Sequence, residues 1–478
     1  MIKQLVLNKN PTFWLIFHVL LGVVSTITPW VLILWFYFVL ISSLPEVFSK
    51  PKVNYGLSFL LIYLVTFEVF ARMVQTSPWI AYEQSKYITF LLTIFGILNG
   101  YNKGKLGLLL VFLLLPGLLY DFSGRVTYLY LIFDVLGPIN IGLCVMFFYR
   151  QRFTAKGFIS IIRLMVYPIV SALFFTFIKT PDFDSIEFEL GANFETTGGF
   201  GSNQVSILFG LGMFLMFLFI VFKWRFSNNF WVDSFFLLGF AFQGLLSFSR
   251  GGVIGGILAI LIVIYILKKS KVSGGKVFTN IPKIGKYLMP ALFILMLSFY
   301  VVNSISGGLL LLRYSGETVG TMAGAKDKSI DTFTSSRALI AKEDLELFLN
   351  YPMLGTGGAS SRYMREKTAG TSPHIEFSRL MAEHGLFGII YIIVVAILTR
   401  KAYKQNRNPV IKSILFGFSM LALYTTFHAA SRTFISPLLF GLAMILIEFP
   451  KKKKNQPVET HIPDQALLQI KTEEESRV

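Results

Sequence analysis

Long apolar runs separated by short polar joints fill most of the chain, and the rhythm breaks for one extended interval, about 306 to 384. A helix needs about 20 apolar residues to cross the hydrocarbon core of a bilayer. Runs near 12–27, 29–45, 55–73, 87–100, 105–120, 127–149, 157–178, 203–222, 229–248, 252–267, 287–305, 385–400, 409–427 and 433–449 predict fourteen spans, with twelve as the lower bound. The first hairpin and 252–267 are short, so tilted, half-length or mutually packed helices are expected there. The chain is thus expected to divide into N-terminal transmembrane helices (1–178), an acidic then glycine-rich loop (179–202), further helices (203–305), a long partly helical loop (306–384), C-terminal helices (385–450) and a basic, disordered tail (451–478). The first run has no small-residue cleavage site and leads straight into a second, so it reads as an uncleaved anchor. No internal repeat is visible, which speaks against transporter folds built by duplication.

Composition agrees with this all-α polytopic reading: 54% of residues are hydrophobic and mean hydropathy is +0.64, which excludes an ordinary soluble domain. The net charge of +18 would suggest a polyanion partner if it were clustered. It is not: 28 of the 44 Lys and Arg fall in joints that alternate with a second set holding 15, nine of those in the long loop. That asymmetry is the positive-inside signature, and it places both termini in the cytoplasm, the long loop outside, and no nucleic acid among the partners. The long loop carries nine acidic residues against its nine basic ones, so an anion site there must come from individually placed side chains. The single cysteine, Cys144, excludes an intrachain disulfide and reads as a small buried hydrophobe.

Within the long loop, Ser335 or Ser336 is expected to cap a helix to about Asn350, which Tyr351-Pro352 ends. After Gly355-Thr356-Gly357-Gly358, Ser372 would cap and Pro373 would begin a second helix that stops at Gly385. His374 would then lie in the first turn, where the positive end of the helix dipole disfavours its protonation and leaves a neutral imidazole able to accept a proton. The competing reading is a loop histidine that bonds the backbone. His384 fits a C-terminal dipole partner, and His18, His428 and His461 carry no assigned role. Arg250, in Ser249-Arg250-Gly251-Gly252, is expected at headgroup depth, as a phosphate ligand or an ordinary snorkelling cation. Arg337 is a second phosphate candidate, or a partner of Asp331 or Glu343. Glu68 and Arg72, at i and i+4, read as a self-neutralising pair that faces protein. Asp134 and Arg163 are further intramembrane charges without evident partners. Asp182 and Asp184 could hold a divalent ion, though an acidic solvated loop explains them as well, and no metal or cofactor is expected. No phosphate loop, zinc spacing or Ser/His/Asp order is present in the sequence.

Four motifs, taken in order, resemble those of the bacterial O-antigen ligase and O-antigen polymerase superfamily. They are Gly198-Gly199-Phe200-Gly201-Ser202-Asn203-Gln204; Ser249-Arg250-Gly251; Ser336-Arg337 followed by Pro352-Met353-Leu354-Gly355-Thr356-Gly357; and Pro373-His374 with Gly385 and Gly388. The resemblance covers about 190–450, and departs where Ile375 follows the histidine in place of the usual Asn, Ser or Gln. It implies a GT-C-like membrane glycosyltransferase of the bacterial inner membrane that moves a glycan from undecaprenyl diphosphate to an acceptor glycan or glycolipid, without nucleotide, cofactor or metal. Arg250 and Arg337 would hold the diphosphate and His374 would deprotonate the acceptor, with Asn203, Glu376, Arg379, Glu68 and Arg72 in support. A polymerase is expected ahead of a ligase, and the rival from another class is a transporter or flippase of lipid-linked sugars.

Overall fold

The computed structural model describes residues 11–48, 55–101, 104–270, 284–371 and 374–448. Each of the fourteen apolar runs contains a helix. Among the described residues, eight helices are long and apolar enough to cross a membrane: Gly56–Met73, Tyr128–Phe148, Ala155–Lys179, Ser202–Val221, Arg250–Lys269, Lys286–Ile305, Glu376–Gln405 and Pro409–Ala429. Five shorter apolar helices accompany them: Pro11–Val24, Trp30–Ser42, Gln84–Leu98, Lys105–Leu118 and Phe230–Leu246. The last run departs from expectation, because Ile435–Leu442 covers only eight residues before the backbone leaves the helix. There the Met444 carbonyl accepts from Arg150 N at 2.8 Å and Leu446 N donates to the Gln151 carbonyl at 2.8 Å, so pairing with a neighbouring turn replaces the next helical turn. The basic tail from 451, with its expected disorder, lies outside the described residues, as do Ser372 and Pro373.

The centre of the molecule is Gly56–Met73, every residue of which is buried. Close packing nearby rests on glycine. The Ser202–Val221 and Arg250–Lys269 helices meet backbone to backbone: a Cβ on Gly252 would strike the Ser206 carbonyl, and one on Gly256 the Gly210 carbonyl. Small residues at such a seam allow the approach that dispersion contacts need in lipid. His18 shows how a polar group is retired in this interior, with Nδ1 on the Trp14 carbonyl and Nε2 on the Tyr63 hydroxyl, both at 2.7 Å.

In the long loop the first expected helix forms as Arg337–Asn350, but serine does not cap it. Ser335 and Ser336 both take left-handed conformations, φ 54° and 62°, and the helix start is satisfied instead by Asp331 Oδ1, which accepts from Leu339 N at 3.0 Å, and by Thr334 Oγ1, which accepts from Ala338 N at 3.2 Å. The second helix starts at Glu376, after an extended Ile375, so His374 precedes it rather than occupying its first turn. That helix breaks at Gly385 (φ 55°, ψ −130°) before continuing as a membrane-length segment. The freed backbone groups are taken up by the Pro352–Gly357 stretch. Leu386 N donates to the Pro352 carbonyl at 2.8 Å, while Thr356 N and Gly357 N donate to the Ala382 and Glu383 carbonyls at 2.8 and 3.1 Å. The glycines in this motif are thus explained by backbone-on-backbone contact at a kink.

Candidate functional site

Arg250 opens its helix directly after the turn at Phe248 and Ser249. That turn is pinned from the neighbouring helix: the Ser249 hydroxyl donates to Asn203 Oδ1, and the Ser206 hydroxyl donates to the Ser249 carbonyl at 2.6 Å. Asn203 therefore sets the Ser-Arg-Gly turn rather than reaching toward an arginine itself. Arg250 lies over the Phe333 ring, 4.8 Å from Cζ to centroid, and donates through Nη1 to the Arg313 carbonyl at 2.8 Å and through Nη2 to the Phe333 carbonyl. Arg337 donates to the Thr334 carbonyl at 2.9 Å and to the His428 carbonyl at 3.1 Å. The left-handed pair Ser335-Ser336 reverses the chain between these carbonyls and Arg337, and so builds the corner that both arginines grip.

Among the described residues neither Arg250 nor Arg337 has a carboxylate partner, and the expected pairing of Arg337 with Asp331 or Glu343 does not occur. Burial, together with Arg250 and Arg337 close by, pushes Arg313 down to about 10. Arg337 is lowered by burial and by the nearby Arg250 and Arg432. Three guanidiniums that destabilise one another's charge form a site an anion would relieve.

His374 lines a pocket of about 150 Å³ with Phe194, Gly201, Ser202, Asn203, Gln204, Ala429 and Arg432. Burial and then Arg432, Arg337 and Arg365 push its imidazole down to about 3. The neutral ring expected from a helix dipole is thus present for another reason, desolvation and three cations. His384, expected as a dipole partner at a helix end, is buried against Gly117, and its Nδ1 has no hydrogen-bond partner.

A second, larger cavity of about 320 Å³ shares Gln204 and Arg432 with the His374 pocket. Arg72 holds its near wall, paired with Glu68 and, at 2.9 Å, with Glu83, and donating to Gln204 Oε1 at 2.6 Å. Glu68 also accepts from Phe434 N at 2.7 Å, so the i, i+4 pair fastens a third segment as well as neutralising itself. On the far wall Arg379 pairs with Glu376 and, at 3.6 Å, with Asp134, whose partner the sequence did not reveal. Arg163 instead donates to the Arg225 carbonyl at 3.2 Å. Among the described residues no cluster of three or more metal-ligating side chains forms, and Asp182 and Asp184 are exposed.

An apolar cavity of about 320 Å³ lies between the Ala155–Lys179, Phe230–Leu246 and Lys286–Ile305 helices, lined by Phe174, Phe177, Phe235, Phe242 and Val301 among others. Sequence reasoning passed over Arg313 and Arg432, took Gln204 only as the last residue of the glycine-rich motif, and gave His428 no role. Arg432 alone carried a signal, as a lone cation in a short joint of the sparsely charged set.

Fold and site together define an all-helical polytopic membrane protein whose long loop folds a cation-rich pocket against the ends of the membrane helices. Residues 234–393, a third of the chain, match the family described as O-antigen ligase, the same superfamily that the four sequence motifs resemble. The match includes Arg250, Arg313, Arg337 and His374, while Arg72, Gln204 and Arg432 lie outside it. No curated protein and no solved structure matches the chain.

Proposed function

We propose that the protein is an inverting, metal-independent glycosyltransferase of the bacterial inner membrane that acts at the periplasmic face. It would transfer a glycan from undecaprenyl diphosphate to an acceptor hydroxyl in surface-polysaccharide assembly. The observation that carries this reading is the location of a neutral imidazole without a hydrogen-bond partner among the described residues, His374, beside Arg337 and Arg432 and next to an arginine cluster without carboxylates. Arg250, Arg313 and Arg337 would bind the diphosphate and take up the charge that develops as it leaves, the task a metal performs elsewhere. His374 accepts the hydroxyl proton as the acceptor oxygen bonds to the anomeric carbon. The carbon–oxygen bond to phosphate breaks, its electron pair stays with the diphosphate, and a single displacement inverts the anomeric centre.

The free imidazole is a weak base because it is buried and because three cations face it. A bound diphosphate offsets those cations and raises its basicity, so the donor itself prepares the general base. The apolar cavity supports a lipid-linked donor. Phe242, in its wall, lies about one turn before the end of a helix that a short turn joins to Arg250, and Val301, also in its wall, lies in the last turn of a helix that Gly307 and Gly308 join to the short helix carrying Arg313, so a polyisoprenoid tail there would keep its headgroup near the arginines.

A polymerase is proposed ahead of a ligase acting on a glycolipid core. In a deletion strain, lipopolysaccharide capped with a single repeat unit indicates the polymerase, and loss of all attached polymer with intact precursor indicates the ligase. The enzymatic reading is tested with purified protein in lipid nanodiscs and a lipid-linked glycan in the presence of a chelator. Turnover that is lost in folded His374→Ala and Arg250→Ala supports it, whereas translocation of the lipid-linked sugar across vesicles with no new glycosidic bond would establish the transporter instead.

A further inference from the structure

The cavity walled by Arg72, Glu83, Asp134, Glu376 and Arg379 does no work in the reaction just described, yet it opens beside the general base through Gln204 and Arg432. Its volume, about 320 Å³, is at the low end of small-molecule sites, which span about 300–1,000 Å³, and suits a compact polar unit rather than a polymer. Its walls are charged but internally paired, so they offer directed hydrogen bonds more than bulk attraction. Five buried atoms of residues lining it make no hydrogen bond in the structure: Glu83 Oε2, which is ion-paired with Lys86 at 2.7 Å, Asp134 Oδ2, which is 3.6 Å from Arg379, and Arg362 Nε, Arg379 Nε and Ser431 Oγ. Arg379 and Ser431 are 3% and 5% exposed, and the Ser431 main chain is fixed by a 2.9 Å bond from its N–H to Glu376 Oε2, which leaves the hydroxyl uncommitted. Buried polar atoms without partners are uncommon and call for a ligand or ordered water. This set comprises carboxylate acceptors, guanidinium donors and a hydroxyl that serves as either, the complement of vicinal sugar hydroxyls.

The order of neighbours decides which sugar. Arg313 lies beside Arg250 and Arg337; Arg337 and Arg432 lie beside His374; and Arg432 lies beside Asp134, Arg379 and Glu376. The donor sugar is tied to the diphosphate at the first end of that series. A hydroxyl that attacks opposite the leaving group must come past His374 from the other end. We infer that this cavity is the acceptor subsite, which holds the hydroxyl-rich ring that presents the nucleophile, with Asp134, Arg379 and Ser431 reading its ring hydroxyls. The inference rests on the glycosyl-transfer reading above.

The test uses the full chain in nanodiscs with lipid-linked donor and a short soluble glycan acceptor. Ser431→Ala leaves every ion pair intact, and Asp134→Asn keeps the shape of the wall; each should raise the acceptor KM about ten-fold, the scale of one lost hydrogen bond, with kcat and the Kd for undecaprenyl diphosphate within two-fold of wild type. An unchanged acceptor KM in both folded variants, or a donor Kd weakened as much as the acceptor KM, overturns the subsite and identifies the cavity as water-filled support. Should the wild type catalyse no transfer, the glycosyltransferase reading fails by itself. Saturation-transfer NMR of the acceptor glycan on wild type and Ser431→Ala then decides the subsite separately, since binding insensitive to the variant sinks it and binding reduced by it sustains it.

Discussion

Arg250 and Arg337, 87 positions apart in sequence, hydrogen-bond to the consecutive carbonyls of Phe333 and Thr334. One corner of the loop therefore sets both guanidiniums, one from a membrane helix and one from a loop helix. A diphosphate held by such a pair loses its geometry when either arginine goes, so the effects should not add. Arg250→Ala and Arg337→Ala are each expected to lower kcat by about 100- to 1,000-fold, the usual cost of removing one charge-stabilising donor. The double variant should fall short of the sum of the two by about 0.5–3 kcal/mol in a double-mutant cycle on kcat/KM. Strict additivity would show that the arginines serve separate ligands.

The second expectation concerns pH. His374 in the free protein sits at about 3 because burial and then Arg432, Arg337 and Arg365 disfavour its protonated form. The acid limb of kcat/KM reports the free protein and the limb of kcat reports the donor complex, in which the diphosphate offsets those cations. The kcat limb should therefore fall at higher pH than the kcat/KM limb. His374→Ala should abolish both limbs along with the activity. Linkage has a matching sign: a folded pKa depressed below the ordinary 6.5 contributes stability at neutral pH that is lost as pH falls from about 6.5 toward 3. Identical limbs for the two parameters would separate His374 from the diphosphate site.

The apolar runs announced the helices because bilayer thickness sets their length directly, and the glycine motifs announced tight backbone approaches because few other residues allow them. Arg250, Arg337 and His374 stood out as polar residues in unusual company. Arg313 did not, and Arg432 did only as a lone cation in a short joint, since whether an arginine meets a carboxylate or another arginine depends on which helices are neighbours, and periodicity says nothing of that. Pairings such as Arg72 with Gln204 or Arg379 with Asp134 join residues separated by 132 and 245 positions, beyond any local pattern. Helix starts misled for a local reason: Ser336 and Ser372 have the composition of caps, but Asp331 reached across a turn to satisfy the Arg337 helix and Ile375 stayed extended before Glu376.

Gly385 is where the loop converts into a membrane helix. Its φ of 55° with ψ of −130° is a region that only glycine enters freely, and a Cβ there would lie 2.6 Å from Gly355 N and from the Pro352 carbonyl. Gly385→Ala should thus destabilise by about 1–3 kcal/mol from backbone strain alone, with the clash in addition. A thermal-unfolding scan in detergent should show a markedly lower Tm, whereas Gly191→Ala, with open space at its Cβ, should be neutral. Equal melting of the two variants would mean that the kink relaxes at little cost.

The loop helix that carries Arg337 is anchored by one buried ion pair, Arg365 with Asp344 at 2.8 Å, both side chains 0% exposed. Asp344 Oδ2 also accepts from the Ser378 hydroxyl at 2.6 Å, which ties the Arg337–Asn350 helix to the helix just after His374. Removing one member leaves the other charge buried alone, which costs about 3–5 kcal/mol, while replacing both by apolar residues of similar size can be neutral. Asp344→Ala should therefore lower both Tm and kcat, because the arginine and the histidine lose their common support. Asp344→Leu with Arg365→Met should recover the Tm. Activity must recover with it if the pair acts solely as an anchor. A stable double variant that remains inactive would mean that Arg365 contributes its charge to the site, which is consistent with its place among the three cations that, after burial, hold His374 neutral.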